Sequence, residues 1–387
     1  MVEGRLELEM EVQKVFELID GGKNFLLSGG AGSGKTYSLV QVIRQIIVEN
    51  PTVKIACMTY TNAAVKEIED RVDHPNLNVS TIHDFLWDSI KNFQKELRKA
   101  LVFLINSEEI SQHSMDTPSP LPDNYFDTFS PGIQYKDYLR LRDGIISHDE
   151  LLVVSSYLFK KYPKLCDIVK DKYPFILIDE YQDTSPSVVE IFLTDFKKSQ
   201  KSTVVGFFGD SMQAIYDGSV GNLDSYRDEV FEVKKNQNRR NPKKVIELAN
   251  RLRKDGIVQE AGADLGAPNL VNGILKEGEI LFLYSSEPSV IKAKGYLEEY
   301  HSWSFNGLND TKELNLTHNL IAEKAGFRKL MDIYDKDPVI GLKGDILRRI
   351  RDNEKNGKPA VPIDDSDTFD MVVDKFKLVN KQRQLKM

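Results

Sequence analysis

The sequence predicts an α/β fold built on a parallel sheet, and three observations carry that reading. Short apolar runs alternate with stretches of helical periodicity. A glycine-rich segment, GGAGSGKT (29–36), lies between one such run and one such helix. Two later runs, YPFILIDE (173–180) and KSTVVGFFGD (201–210), end in acidic residues. Strands of a parallel sheet do so where their carboxyl edge faces a ligand.

NFLLS (24–28) suits a buried strand, and YSLVQVIRQIIVEN (37–50) keeps helical spacing until Pro51 stops it. VKIACMTY (53–60) is the next strand, followed by a helix over about 62–72 and by NVSTIHDFLWDSI (78–90). From about 86 to 170 the rhythm gives way to polar, mostly helical sequence interrupted by DTPSPLPDN (116–124), which predicts a small helical insertion. The sheet resumes at 173–180 and 201–210, and a short strand at FEVKK (231–235) precedes a helix over about 242–254.

KDGIVQEAGADLGAPNLVNG (254–273) has little periodicity and reads as a domain boundary. Beyond it EILFLYSS (279–286) and ELNLTHNLIAEKAGFRKLMDIY (313–334) predict strands, with a helix behind the second. NEKNGKPAVPIDDSDTFD (353–370) is loop-like, and the basic tail KFKLVNKQRQLKM reads first as a solvated helix face. The expected division is therefore 1–85 with 171–255 as one split domain, 86–170 as the insertion, and 274–387 as a partial second α/β domain with a helical tail.

With 387 residues and 41% hydrophobic content the chain can bury a large core. A net charge of −7 argues against coating nucleic acid by bulk charge, though a local basic groove remains open. No apolar run reaches the eighteen or so residues of a membrane span, and the acidic, amphipathic opening is unlike a signal peptide. No membrane association and a cytoplasmic location are expected. Two cysteines without zinc-like spacing predict neither a disulfide scaffold nor a structural metal.

Gly29 to Thr36 fits the phosphate-loop pattern G-x-x-x-x-G-K-[ST], in the strand–loop–helix context the pattern requires. Backbone N–H groups of Gly30, Ala31, Gly32, Ser33 and Gly34 would face a phosphate at the positive end of the following helix. Lys35 adds a charge near the β- and γ-phosphates, and Thr36 offers a hydroxyl to Mg²⁺. A plain glycine turn is the alternative, and a lysine directly after glycine and before threonine argues against it.

LIDEYQDTS (177–185) supplies the acidic partner. Asp179, at a strand end, suits the Mg²⁺ shell, and Glu180 beside it suits a base for water, which favours hydrolysis over transfer to an acceptor. A merely solvated carboxylate pair is the alternative. Gln213, in GDSMQAIYDG (209–218), is a neutral amide able to bond the γ-phosphate or the lytic water. Arg239 and Arg240, in NQNRRNPKKVIELAN (236–250), precede a helix and can neutralise developing γ-phosphate charge, or serve as surface cations.

In this order and spacing the stretches resemble the first half of a superfamily 1 helicase of the UvrD/Rep type, strongly over residues 8–255. TYTNAAVKEIEDR (59–71) is similar to the family's T-x-T-N-K-A-A-x-E-M-x-x-R, and VSTIHDF (79–85) to its G-T-x-H-x-[FL]. DEYQDTS, GDSMQAIY and QNRRNPKKVIELAN resemble its later motifs, the last being Q-N-Y-R-S-x-x-x-I-x-x-x-A-N in the family. The resemblance implies a RecA-like ATP-binding domain using ATP and Mg²⁺. It makes Gln13 an adenine reader and Arg240 the γ-phosphate arginine, with Thr61, Asn62 and His83 holding single-stranded or partly duplex DNA. A satisfied core histidine is the alternative for His83.

The sequence departs from that pattern in places. QAIYDGSVGNL lacks the aromatic and the R-G-A that usually follow, which shifts base stacking to Tyr216 or another ring. Tyr37 stands where an arginine commonly faces adenine, and a ring can stack there too. Ala63 replaces a frequent lysine. The later motifs of the second domain do not appear, so a fragment, a minimal form or a partner that supplies the rest is expected. GIISHDELL (144–152) and LTHNLIAEKAGF also resemble UvrD-like helicases paired with OLD-type nucleases in anti-phage systems of the Gabija type. That resemblance implies a nuclease partner.

Overall fold

The computed structural model describes residues 8–110, 120–216, 218–262 and 266–284, and beyond them 286, 289–305, 311–314, 321–323, 325–337, 339–342, 348 and 371. Two units divide the chain, Met1–Leu281 and Phe282–Met387.

In the first unit six apolar runs become strands: β1 (Asn24–Gly29), β2 (Ile55–Thr59), β3 (Leu77–Thr81), β4 (Phe175–Asp179), β5 (Val204–Gly209) and β6 (Val230–Lys235). They pair in the order β3-β2-β4-β5-β1-β6, and every pairing is parallel. Parallel pairing puts all six carboxyl ends on one edge, so the loops after β1, β4 and β5 emerge side by side.

The helices of this unit are α1 (Met10–Asp20), α2 (Lys35–Glu49), α3 (Asn62–Val72), α4 (Ile82–Ile90), α5 (Gln94–Asn106), α6 (His148–Lys161), α7 (Pro163–Lys172), α8 (Pro186–Leu193) and α9 (Lys243–Leu252). Their starts follow local chemistry. Thr61 caps α3 by accepting the Ala64 N–H, and Thr81 caps α4 by accepting that of Asp84. Ser147 and Glu150 form a capping box on α6, while Pro163 and Pro186 open α7 and α8.

Strand side chains alternate between two faces, and both are covered. Phe25, Leu27, Ile55, Cys57, Leu177 and Phe208 join a core with α1, α2 and α3. Leu26, Ala56, Met58, Ile176, Ile178 and Phe207 join the other core, shared with α4 to α8. The helices between β3 and β4 thus share one apolar core with the sheet face they cover. Cys57 and Cys166 are free and buried.

The second unit contains α10 (Val290–His301), capped by Ser289, and α11 (Arg328–Lys336). The strand expected over 279–286 does not form across its described residues. Phe282 and Tyr284 are 86% and 90% exposed. A strand needs a neighbouring edge to take its backbone N–H and C=O groups, and this run has no ladder partner among the described residues. Residues 315–320 of the second expected strand, and the whole of the basic tail KFKLVNKQRQLKM, lie outside the described residues. Among the described residues no helix is long and apolar enough to cross a membrane.

Candidate functional site

The glycine loop leaves β1 and delivers Lys35 as the first residue of α2. Gly32 and Gly34 both hold φ of +84°, a left-handed conformation that only glycine adopts without strain. Lys35 is buried, and its Nζ donates to the Gly29 carbonyl at 2.9 Å. Burial lowers its pKa, while Glu180, Asp210 and Asp179 oppose that shift in decreasing order. Its ammonium is therefore aimed back across the loop it closes.

Asp179 is the last residue of β4 and almost fully buried. Burial, reinforced by the neighbouring Glu180 charge, pushes its carboxyl up to about 7. Glu180 sits at φ +50°, an uncommon conformation for a non-glycine residue, and accepts a hydrogen bond from Gln182 Nε2 at 2.8 Å. Gln213, expected at a γ-phosphate or the lytic water, donates to Asp210 Oδ2 at 2.6 Å. Arg240 is exposed, at the lip of the loop: a Cβ added to Gly32 would come 2.8 Å from Arg240 Cβ.

Further residues join this edge. Asp210 receives a bidentate pair from Arg253 at 2.9 and 2.8 Å, with Arg253 8% and Asp210 1% exposed. Burial alone would raise the Asp210 carboxyl, but bonds from Arg253 and Gln213 hold it below the ordinary range. Asn238 and Asn241 donate to the Ala31 carbonyl at 2.9 and 3.2 Å, and Gln259 reaches it at 3.4 Å. The Arg239 N–H bonds Gly32 O at 2.9 Å. The loop is thus gripped by residues more than 200 positions away. Asn238 and Asn241 lie in the quoted arginine motif; nothing in the sequence marked Gln259 or Arg253.

On the outer side of the loop, Tyr37 is exposed, and the Arg239 guanidinium lies 5.7 Å from its ring centre. Gln13 is on α1, with Nε2 donating to Leu8 O at 2.9 Å. Buried Lys235 bonds Ser38 at 2.6 Å and pairs with Glu9, tying α1 to α2 and β6.

The remaining expected residues lie toward the β2–β3 end of the sheet. Thr59 pairs with Thr81 in register, so Thr61 and His83 each stand two residues past the edge of adjacent strands. Asn62 is exposed at the start of α3. Tyr60 and Tyr216 form an exposed ring pair, centroids 5.0 Å apart. His83 faces His148 at 4.7 Å between ring centres, and its pKa is lowered by burial and then by His148. Tyr135 Oη lies 2.5 Å from His148 Nδ1.

Comparison with known proteins gives the family. A family described as AAA domain matches residues 14–219. The chain belongs to this family. With the motifs above and similarity to DNA helicases, the match places the chain among UvrD/Rep-like proteins of superfamily 1. The Gabija protein GajB of Bacillus cereus strain HuB5-5 is 27% identical over 419 residues, covering 85% of this chain and 60% of that protein. An ATP-dependent DNA helicase PcrA of Staphylococcus epidermidis is 26% identical, covering 59% of this chain and 37% of that protein. The chain therefore spans less than two thirds of the length of these relatives. A solved structure of unliganded Pif1 from Bacteroides sp aligns over 63% of this chain and 45% of its own at 15% identity, with a TM-score of 0.30.

The AAA domain presents groups that fit a nucleotide with Mg²⁺. Ser33 Oγ in the loop and Asp179 Oδ1 at the β4 end are buried without a hydrogen-bond partner. Buried polar atoms of that kind want one. A cation beside Asp179 would offset the burial that raises its carboxyl. Among the described residues no cluster of three or more His, Cys, Asp or Glu could hold a metal. Thr36 and Asp179 would therefore share Mg²⁺ with phosphate oxygens and water, the usual arrangement for that ion.

Proposed function

We propose that the AAA domain of this chain hydrolyses ATP with Mg²⁺ and couples hydrolysis to single-stranded DNA. The observation that carries the reading is the convergence at one sheet edge of the glycine loop, buried Lys35, Asp179 and Glu180. Lys35 neutralises charge on the β- and γ-phosphates, and Thr36 and Asp179 would hold Mg²⁺, which when bound would supply further charge stabilisation. Glu180 orients and deprotonates the attacking water. Gln213, its amide nitrogen held by Asp210, keeps its amide oxygen and second amide hydrogen for the lytic water or γ-phosphate, and Arg240 closes on the phosphate from the loop's lip. The exposed Tyr37 ring would stack on adenine, with Gln13 reading its edge.

DNA is held at the other end of the same edge. Tyr60 and Tyr216 offer exposed rings for bases, and Thr61, Asn62 and His83 offer groups for phosphates and sugars. The split RecA-like domain, the helical insertion and the partial second domain remain the working division. Similarity to a Gabija protein supports a second reading, in which the chain is a catalytically weak, nucleotide- or DNA-sensing partner subunit of a nuclease complex in anti-phage defence. One experiment separates the two: ATP hydrolysis with and without single-stranded DNA, alongside Lys35→Ala. Strong DNA stimulation lost in the variant supports the motor, binding without turnover supports the sensor, and undiminished hydrolysis by Lys35→Ala refutes the site.

A further inference from the structure

Two loops at the sheet edge are latched by side chains. Asp210's backbone N–H bonds Gln182 Oε1 at 3.0 Å, while Gln182 Nε2 donates to Glu180 Oε2 at 2.8 Å and to Asp183 Oδ2 at 3.3 Å. Asp183 Oδ1 in turn accepts the Ile215 N–H at 3.1 Å. Glu180 and Gln213, the two groups assigned to the lytic water and γ-phosphate, are both tied to Asp210.

Asp210 is itself fully occupied. Oδ1 accepts from Met212 N at 3.1 Å and Arg253 at 2.8 Å, and Oδ2 accepts from Gln213 at 2.6 Å and Arg253 at 2.9 Å. Arg253 follows the last residue of α9 and is fixed in turn by Asp255, whose Oδ1 takes its Nε at 3.1 Å and the Ile257 N–H at 3.2 Å. A planar guanidinium matched to a carboxylate leaves almost no rotational freedom to either partner.

We propose that Arg253 is a positioning residue for ATP hydrolysis: by clamping Asp210 it sets Gln213 directly and Glu180 through Gln182. This rests on the hydrolytic reading above. A buried ion pair adds little stability compared with apolar residues of the same volume. Its position, one hydrogen bond from Gln213 and two from Glu180, gives it a different role. The pair also neutralises a third carboxylate close enough to be felt by Lys35. Without Arg253, Asp210 would be free to move and to draw on the same lysine as the phosphates.

The test is steady-state ATPase kinetics on the full chain with single-stranded DNA, comparing wild type, Arg253→Lys, Arg253→Met and the double variant Asp210→Asn/Arg253→Met. Thermal melts establish folding, and affinity for a fluorescent non-hydrolysable ATP analogue isolates binding. Misplacement of reacting groups by about 1 Å costs up to about a hundredfold in rate. Arg253→Met should therefore lose about ten- to a hundredfold in kcat while analogue affinity and KM change by less than about threefold. Arg253→Lys, which keeps the charge without the fork, should recover part of kcat. If Arg253→Met does not fold, the double variant removes the lone buried charge and should fold with low kcat.

A folded Arg253→Met with wild-type kcat overturns the proposal, as does full recovery of kcat in the double variant. A wild-type chain that binds the analogue but turns nothing over overturns the hydrolytic reading and this proposal together.

Discussion

Asp179→Asn should stabilise the nucleotide-free protein, and increasingly so as the pH rises. The carboxyl is pushed from an ordinary 3.8 up to about 7, first by burial and then by Glu180. Below about pH 4 it is protonated whether the chain is folded or not, and the folded state bears no penalty. Between about 4 and 7 the unfolded chain ionises while the folded one holds its proton, so stability falls by about 1.4 kcal/mol per pH unit. Above 7 both forms are ionised and the loss levels off, at a total on the order of 4 kcal/mol.

Asparagine carries no charge and escapes this loss, apart from a pH-independent difference in hydrogen bonding. From pH 5 to 7 the gap between variant and wild type should widen by about 2 kcal/mol, roughly 4 to 8 °C in melting temperature for a domain of this size. Thermal melts from pH 5 to 8.5, without nucleotide or divalent cations, measure it. A gap that does not change with pH, or that narrows as pH rises, would refute a buried, uncompensated carboxylate at this position.

Three further outcomes are expected. Gly32→Ala should destabilise more than Gly34→Ala in urea unfolding, because both are at φ +84° but only the Gly32 Cβ would meet atoms within 3 Å. The Gly34 change should cost about 1–2 kcal/mol from conformation alone. Tyr216→Ala and Tyr60→Ala should each weaken single-stranded DNA binding by about 1–3 kcal/mol, read by fluorescence anisotropy, and leave ATP-analogue affinity unchanged. Thr81→Ala removes the cap that accepts the Asp84 N–H and donates to its carboxylate at 2.7 Å, and should cost about 1 kcal/mol in urea unfolding.

The sequence by itself determined the strands and the loop chemistry. The continuous apolar run Phe25 to Leu27, whose side chains alternate between the two cores, and the glycine–lysine–threonine run are local properties, set by backbone sterics and side-chain type within a few residues. Hence β1, β2, β4, β5 and β6 fall where the apolar runs lie, and Asp179 ends its strand as the spacing requires. The failure at 279–286 has the opposite cause: apolar composition permits a strand, but only a neighbouring edge can make one.

Tertiary structure decided the order β3-β2-β4-β5-β1-β6, which depends on which faces pack together across long separations. It also decided the surroundings of Gln213. Its amide is equally suited to a phosphate or a carboxylate, and Asp210 lies only three residues away; what the fold adds, by bringing β5 and the end of α9 together, is Arg253 on that same carboxylate. Arg253 and Gln259 stayed silent for the same reason. An arginine at a helix end and a glutamine in a loop look like solvated surface in one dimension, and become buried clamps only when residues 43 and 228 positions away are folded against them.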